Sequence, residues 1–147
     1  MEMDIRTSDG LAKEVAVFEA VEAGREVLLA APDGTFSRVV SAFKREVPVY
    51  RVQVQYRVVE LPGDRLVLTG TGWKRVDSLI KQVGVEEVVI RCGTSEALPV
   101  AGIKLADRLS KRLLEQVVPL GKKTCYEFLT EPDAGYEVHG VVMKCPS

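Results

Sequence analysis

The chain has 147 residues, 46% hydrophobic and 28% charged, with 12 Gly and 7 Pro. That is the usage of one compact soluble domain or two very small ones, and it excludes disorder, collagen-like repeats and a disulfide mini-protein. Twenty Lys and Arg against 21 Asp and Glu leave a net charge of −1, so no whole-protein field draws the chain to nucleic acid or an anionic membrane.

In chain order, residues 5–8 are predicted as a short strand. Ser8-Asp9-Gly10 then supplies turn and N-cap chemistry ahead of a helix with an apolar stripe of Leu11, Val15 and Phe18, ending near Gly24. Residues 26–31 form an apolar run closed by Pro32-Asp33-Gly34, as in a strand buried on both faces. A second helix is expected over residues 35–45, stopped by Pro48. From Tyr50 to Val58 apolar residues alternate with Arg51, Gln53, Gln55 and Arg57, the pattern of a strand with one wet face. Its hairpin partner is expected over residues 65–69, across the turn Leu61-Pro62-Gly63-Asp64. Gly70-Thr71-Gly72 leads into a short helix, residues 73–83, and an apolar strand, residues 87–92. After the turn Gly93-Thr94-Ser95, a helix is predicted over residues 98–114 with Pro99 in its first turn. A strand within residues 117–130, a turn at 131–135 and a last strand over 136–144 complete the chain.

The predicted order strand, helix, strand, helix, strand, strand thus occurs twice. A shift of 61 superimposes Lys13 on Lys74, Val15 on Val76, Phe18 on Leu79 and Glu26-Val27 on Glu87-Val88. The expectation is a tandem duplication with units 1–64 and 65–147, either one pseudo-dimeric core or two.

Cys92, Cys125 and Cys145 contain no C-x-x-C pair, and the single histidine, His139, excludes most zinc sites and Ser/His/Asp arrangements. Cys125 and Cys145 flank a predicted hairpin and are readable either as a close pair or as free buried thiols. Cys92-Gly93-Thr94-Ser95 sits where an anion-loop nucleophile would, but Leu98 stands where a thiol phosphatase loop requires arginine. Glu86, Glu87 and Glu96 border that turn without an acid/base partner. No catalytic residue, metal site or cofactor site is therefore expected.

On the helix expected over residues 98–114, Val100, Ile103, Ala106, Leu109 and Leu113 share one face, and Lys104, Arg108, Lys111 and Arg112 the other. Residues 104–123 and 38–57 each carry a local net charge of +4, which taken alone reads first as a solvated face and second as a surface for phosphate contacts. The loop from Gly70 to Arg75 offers glycine backbone and two cations to an anion, without the P-loop spacing.

Gly84-Val85-Glu86-Glu87-Val88-Val89-Ile90-Arg91-Cys92-Gly93, with Val100, Ile103 and Ala106 after it, resembles the second strand and following helix of the Alba family. These are small archaeal and eukaryotic DNA- and RNA-binding proteins. The resemblance covers about residues 65–144 and implies an α/β two-layer fold: tandem β-α-β-α-β-β repeats with a mixed sheet and helices on one face. It implies a non-enzymatic nucleic-acid-binding protein, RNA ahead of bulk DNA, forming a homo-dimer or pairing with a hetero-partner. The contacts would be Lys74, Arg75 and Arg91, with Lys13 as the weaker counterpart, joined by Arg51 and Arg57 on the strand face and by Lys104, Arg108, Lys111 and Arg112. The hairpin tip Glu131-Pro132-Asp133 departs from the family in being acidic. The alternative is an Alba-like assembly subunit that has lost the charge; a small-anion or nucleotide-binding enzyme ranks last. No apolar run is long enough to span a membrane, and Met1 to Arg6 lack signal-peptide character, so a cytoplasmic protein is expected.

Overall fold

The structure, a computed structural model, describes residues 2–92 and 99–146. The strands are β1 (Asp4–Thr7), β2 (Gly10–Lys13), β3 (Leu28–Ala30), β4 (Phe36–Val54), β5 (Arg57–Pro62), β6 (Leu66–Thr69), β7 (Gly72–Arg75), β8 (Glu87–Arg91), β9 (Leu109–Glu131), β10 (Tyr136–Val138) and β11 (Val141–Lys144). One α-helix, α1 (Glu14–Glu22), follows β2, and a 3-10 helix (Val76–Gln82) follows β7. The expected two-layer α/β fold is therefore replaced by an antiparallel β fold.

Strands β4 and β9 set the frame. They pair from Arg38 opposite Glu131 to Val54 opposite Leu114, over sequences rich in the β-branched and aromatic residues that suit a pleated, half-buried surface. Register shifts fall between Val39 and Ser41, Val49 and Tyr50, and Gln53 and Val54. Pro48 and Pro119 lie in and beside the middle shift, and Gly121, at φ 83°, faces Val49 there; an irregularity of this kind bends a ribbon and tolerates proline. These shifts break the period-2 pattern, which is why residues 35–45 read as a helix.

The sheet runs β10-β1-β3-β4-β9-β8-β11-β6-β7, and β10 also pairs with β11, so the seven strands from β10 round to β11 close on themselves. β2 pairs with β1, and β5 with β4. Ile5, Leu29, Val52, Leu61, Leu114, Phe128 and Tyr136 belong to the main core inside this ring. A smaller core of Leu68, Val89, Leu105, Leu109 and Val142 lies beside it.

The order β-β-helix-β-long β occurs twice. Leu66, Gly72 and Val76 open their elements 62 residues after Asp4, Gly10 and Glu14 open theirs. The second long element of each half is a strand and not the predicted helix. In the stretch predicted as helix over 98–114, Ala101 and Arg108 have φ of 49° and 71°, values no right-handed helix contains, and β9 starts at Leu109. Residues 73–83 divide into β7 and the 3-10 turn. Leu11, expected on the apolar stripe of the first helix, lies exposed in β2, and the helix starts at Glu14. The strand expected from Tyr50 to Val58 is broken by a tight turn at Gln55 and Tyr56, whose φ of 26° and 62° are left-handed values that no Asn-Gly pair announces. Gly93 to Leu98 lie outside the described residues, so the anion-loop and Glu96 readings are not addressed by the structure.

Candidate functional site

Arg65 is the organising residue. It follows the turn after β5, where its N–H donates to the Pro62 carbonyl at 3.1 Å, and its side chain points into the main core with the residue 1% exposed. The guanidinium donates from Nη1 to Tyr136 Oη at 3.3 Å and from Nη2 to the Tyr126 carbonyl at 3.0 Å; Met143 Sδ lies 3.5 Å from Nη1. Its Nε has no acceptor, and no carboxylate forms an ion pair with it, among the described residues. Burial opposes the charge, but Tyr136, Cys145, Glu14 and Glu127 around it keep the guanidinium protonated.

Three other buried groups take their character from this arginine. Glu14 opens α1, and burial pushes its carboxyl up to about 7 against the opposing pull of Arg65. Cys125 on β9 is pushed up to about 11, by burial first; Arg65 and Arg45 oppose the shift, and Glu14 and Glu127 reinforce it. Cys145, just after β11, is also raised by burial, with its thiol 3.6 Å from both Tyr136 Oη and the Phe128 carbonyl. Both thiols are free.

A cavity of about 320 Å³ opens over this cluster, walled by Glu2, Met3, Glu14, Glu60, Arg65 and Cys125. The N-terminal segment forms one wall. The Met3 carbonyl accepts from the Glu14 N–H at 3.0 Å, and Met3 Sδ is 3.4 Å from the Glu60 N–H. The C-terminal segment reaches the same arginine through Met143 and is held by Lys144, whose ammonium sits 4.7 Å above the Trp73 ring. The N-terminal segment thus shares a cavity wall with the guanidinium that Met143 touches.

The residues expected to hold phosphate are dispersed. Lys13, at the end of β2, lines the cavity but is tied to Asp4 at 2.8 Å. Lys74 and Arg75 lie on β7, at the far end of the sheet order, and Arg75 makes two bonds to Asp77 at 3.0 and 2.7 Å. Arg91 is committed to the buried Glu137 through bonds of 2.8 and 2.7 Å, and Arg57 donates to the Arg91 carbonyl at 2.8 Å. Arg51 stands on β4 between Glu60 and Val118. Lys104 and Arg108 precede β9, and Lys111 and Arg112 lie within it, so no helical basic stripe exists. Of the ten, only Lys13 stands at the candidate site.

Sequence reasoning missed Glu14, Arg65, Glu127 and Tyr136. Only Cys125 and Cys145 carried a signal, as two cysteines spaced to approach one another. The single imidazole is elsewhere: His139 Nδ1 accepts from the Asp4 N–H at 3.1 Å.

No family model and no curated protein matches the chain. Among solved structures, a DnaB intein from Synechocystis sp. PCC 6803 superimposes with a TM-score of 0.75 at 12% identity, covering 99% of this chain and 95% of that one. The gp41-1 intein gives 0.68 at 10% identity, covering 97% and 93%, and the MchDnaB-1 intein 0.67 at 19%, covering 97% and 95%. At such identities the likeness establishes the fold, and it is the intein fold. This overturns the Alba resemblance, its tandem α/β architecture and the nucleic-acid-binding function drawn from it. The expectation of a non-enzymatic protein, which the Alba resemblance implied, falls with it, the solved neighbours being inteins. No helix among the described residues is long and apolar enough to cross a membrane.

Proposed function

We propose that the chain carries out thiol-dependent acyl transfer on polypeptide presented at its own terminal segments, as a self-processing element. The observation that carries this reading is one cavity whose wall holds Glu2 and Met3 together with the Arg65 guanidinium, a carboxyl and a thiol, while Met143 near the other end of the chain touches the same guanidinium. A thiol raised to about 11 is a poor nucleophile alone and needs a base beside it. Glu14, near 7, is partly ionised at neutral pH and suits proton transfer in both directions.

Glu14 takes the Cys125 thiol proton, and Sγ bonds to the carbonyl carbon of a peptide bond lying beside Glu2 and Met3. The positive field of Arg65 stabilises the thiolate and the oxyanion that forms. Collapse breaks the C–N bond, Glu14 returns the proton to the leaving amine, and a thioester on Cys125 remains for water or another nucleophile. The free thiols of Cys125 and Cys145 suit a cytoplasmic setting.

The test is intact-mass spectrometry of the chain expressed with a reporter peptide ahead of Met1. Release of the peptide, acceleration by hydroxylamine, loss in Cys125→Ala and slowing in Glu14→Gln are expected, with a rate that rises through about pH 7 as Glu14 ionises. Release unchanged in Cys125→Ala, or no release between about pH 6 and about pH 9, overturns the proposal.

A further inference from the structure

Arg45 stands where the two segments carrying Arg65 and Cys125 meet. Its backbone pairs with Cys125 across β4 and β9. Its Nη2 donates to both carboxylate oxygens of Asp64, at 3.0 and 3.2 Å, and to Glu127 Oε1. Asp64 is the residue before Arg65 in its turn; Glu127 follows Cys125 by two residues on β9 and so shares its face. Arg45 Nε is buried and has no acceptor among the described residues, so the two carboxylates hold this guanidinium. One side chain therefore links the turn that bears the arginine to the strand that bears the thiol.

We propose that Arg45 is a positioning residue that sets the Arg65 guanidinium against the Cys125 thiol; the inference rests on the acyl-transfer reading above. Both carboxylates are held through the single nitrogen Nη2, which the planar guanidinium places and a flexible lysine stem places less firmly. Glu127 is largely buried while Arg45 and Asp64 are about one-third exposed, so the link stands at the protein edge of the site and not in open solvent. The charged groups acting on Cys125 are Arg65 and Arg45, which favour its thiolate, and Glu14 and Glu127, which oppose it.

Two readouts separate positioning from charge: the rate of reporter release, and the pH profile of Cys125 alkylation by iodoacetamide, located by peptide mass. Arg45→Gln removes charge and link, so release falls by roughly tenfold or more and the alkylation profile moves to higher pH. Arg45→Lys keeps the charge, so the profile stays in place while release still slows several-fold. Asp64→Asn cuts the link from the other side and shows the same split with Arg45 retained, which covers the case of an Arg45 variant that folds poorly. Release at the wild-type rate in Arg45→Lys and Asp64→Asn, with melting temperatures unchanged, overturns the proposal. If Cys125→Ala leaves release intact, the acyl-transfer reading fails instead, and the alkylation profile still reports whether Arg45 acts on Cys125.

Discussion

Glu14 is the residue at which stability and chemistry oppose each other most directly. Its carboxyl sits at the first position of α1, where an ionised side chain would gain from the helix N-terminus, yet burial keeps it largely protonated up to about pH 7. Its folded value lies above the ordinary 4.5, so its contribution to stability is complete below about pH 4.5 and is lost as pH rises through about 7. The difference corresponds to about 3 kcal/mol at most. Glu14→Gln removes the titration. In thermal melts at about pH 5 and about pH 8, the wild type is expected to lose several degrees between the two, and the variant to lose distinctly less. Parallel losses would show that other groups govern the acid–base dependence. A residue that weakens the fold at neutral pH by remaining buried is expected where function requires it.

The elements are held in register by close contacts that a single methyl group would disturb. Gly135, between β9 and β10, has φ 92°, and a Cβ there would lie 2.8 Å from the Trp73 ring and 3.0 Å from the Met143 carbonyl. Gly135→Ala combines left-handed strain with a clash against backbone, so a cost of about 2 to 4 kcal/mol in urea unfolding is expected. Gly10→Ala, with similar strain and open space around it, should cost clearly less. Such contacts also explain how much of the fold was legible in the sequence. Short apolar runs bounded by turn residues identified β3 and β8, because each is local and largely buried. Residues 65–69 are expected to pair with the strand over 50–58, but β6 pairs with β7, β8 and β11, and the single strand expected over 136–144 divides into β10 and β11. The long strands escaped notice. Phe36, Val40 and Phe43 are exposed at nearly helical spacing on β4, and the left-handed residues Ala101 and Arg108 carry no side-chain signature. The site was legible only in its two cysteines. Glu14, Arg65 and Glu127 stand far apart in the chain, each reads as a surface charge, and only the closed sheet makes them neighbours.

Closure of the sheet is a property of the whole molecule, and Glu137 is its fastening. This carboxylate on β10 is 1% exposed; it accepts from Arg91 of β8 at 2.8 and 2.7 Å and from Arg6 of β1 at 3.3 Å. It therefore joins the first strand of the chain to the second half of the ring at the point where β10 bridges β1 and β11. Beside it, the Asp4 carbonyl accepts from the His139 N–H at 2.7 Å, so the same seam fixes the segment leading to Met3 and the cavity. Removing one partner of a buried pair leaves the other charge uncompensated, a loss of about 3 to 5 kcal/mol. Both arginines keep partial access to water, which places Glu137→Gln at the lower end, about 3 kcal/mol in urea unfolding. Arg91→Gln should cost more than Arg6→Gln, since Arg91 makes two short bonds and Arg6 a single longer one. Because closure also brings the N-terminal segment to Arg65, Glu137→Gln should increase hydrogen exchange in the N–H groups of Ile5 and Val138, which pair across the seam, before it affects the centre of β4 and β9. Uniform acceleration across all strands would mean that the ring opens as one unit and that Glu137 fastens no particular part of it.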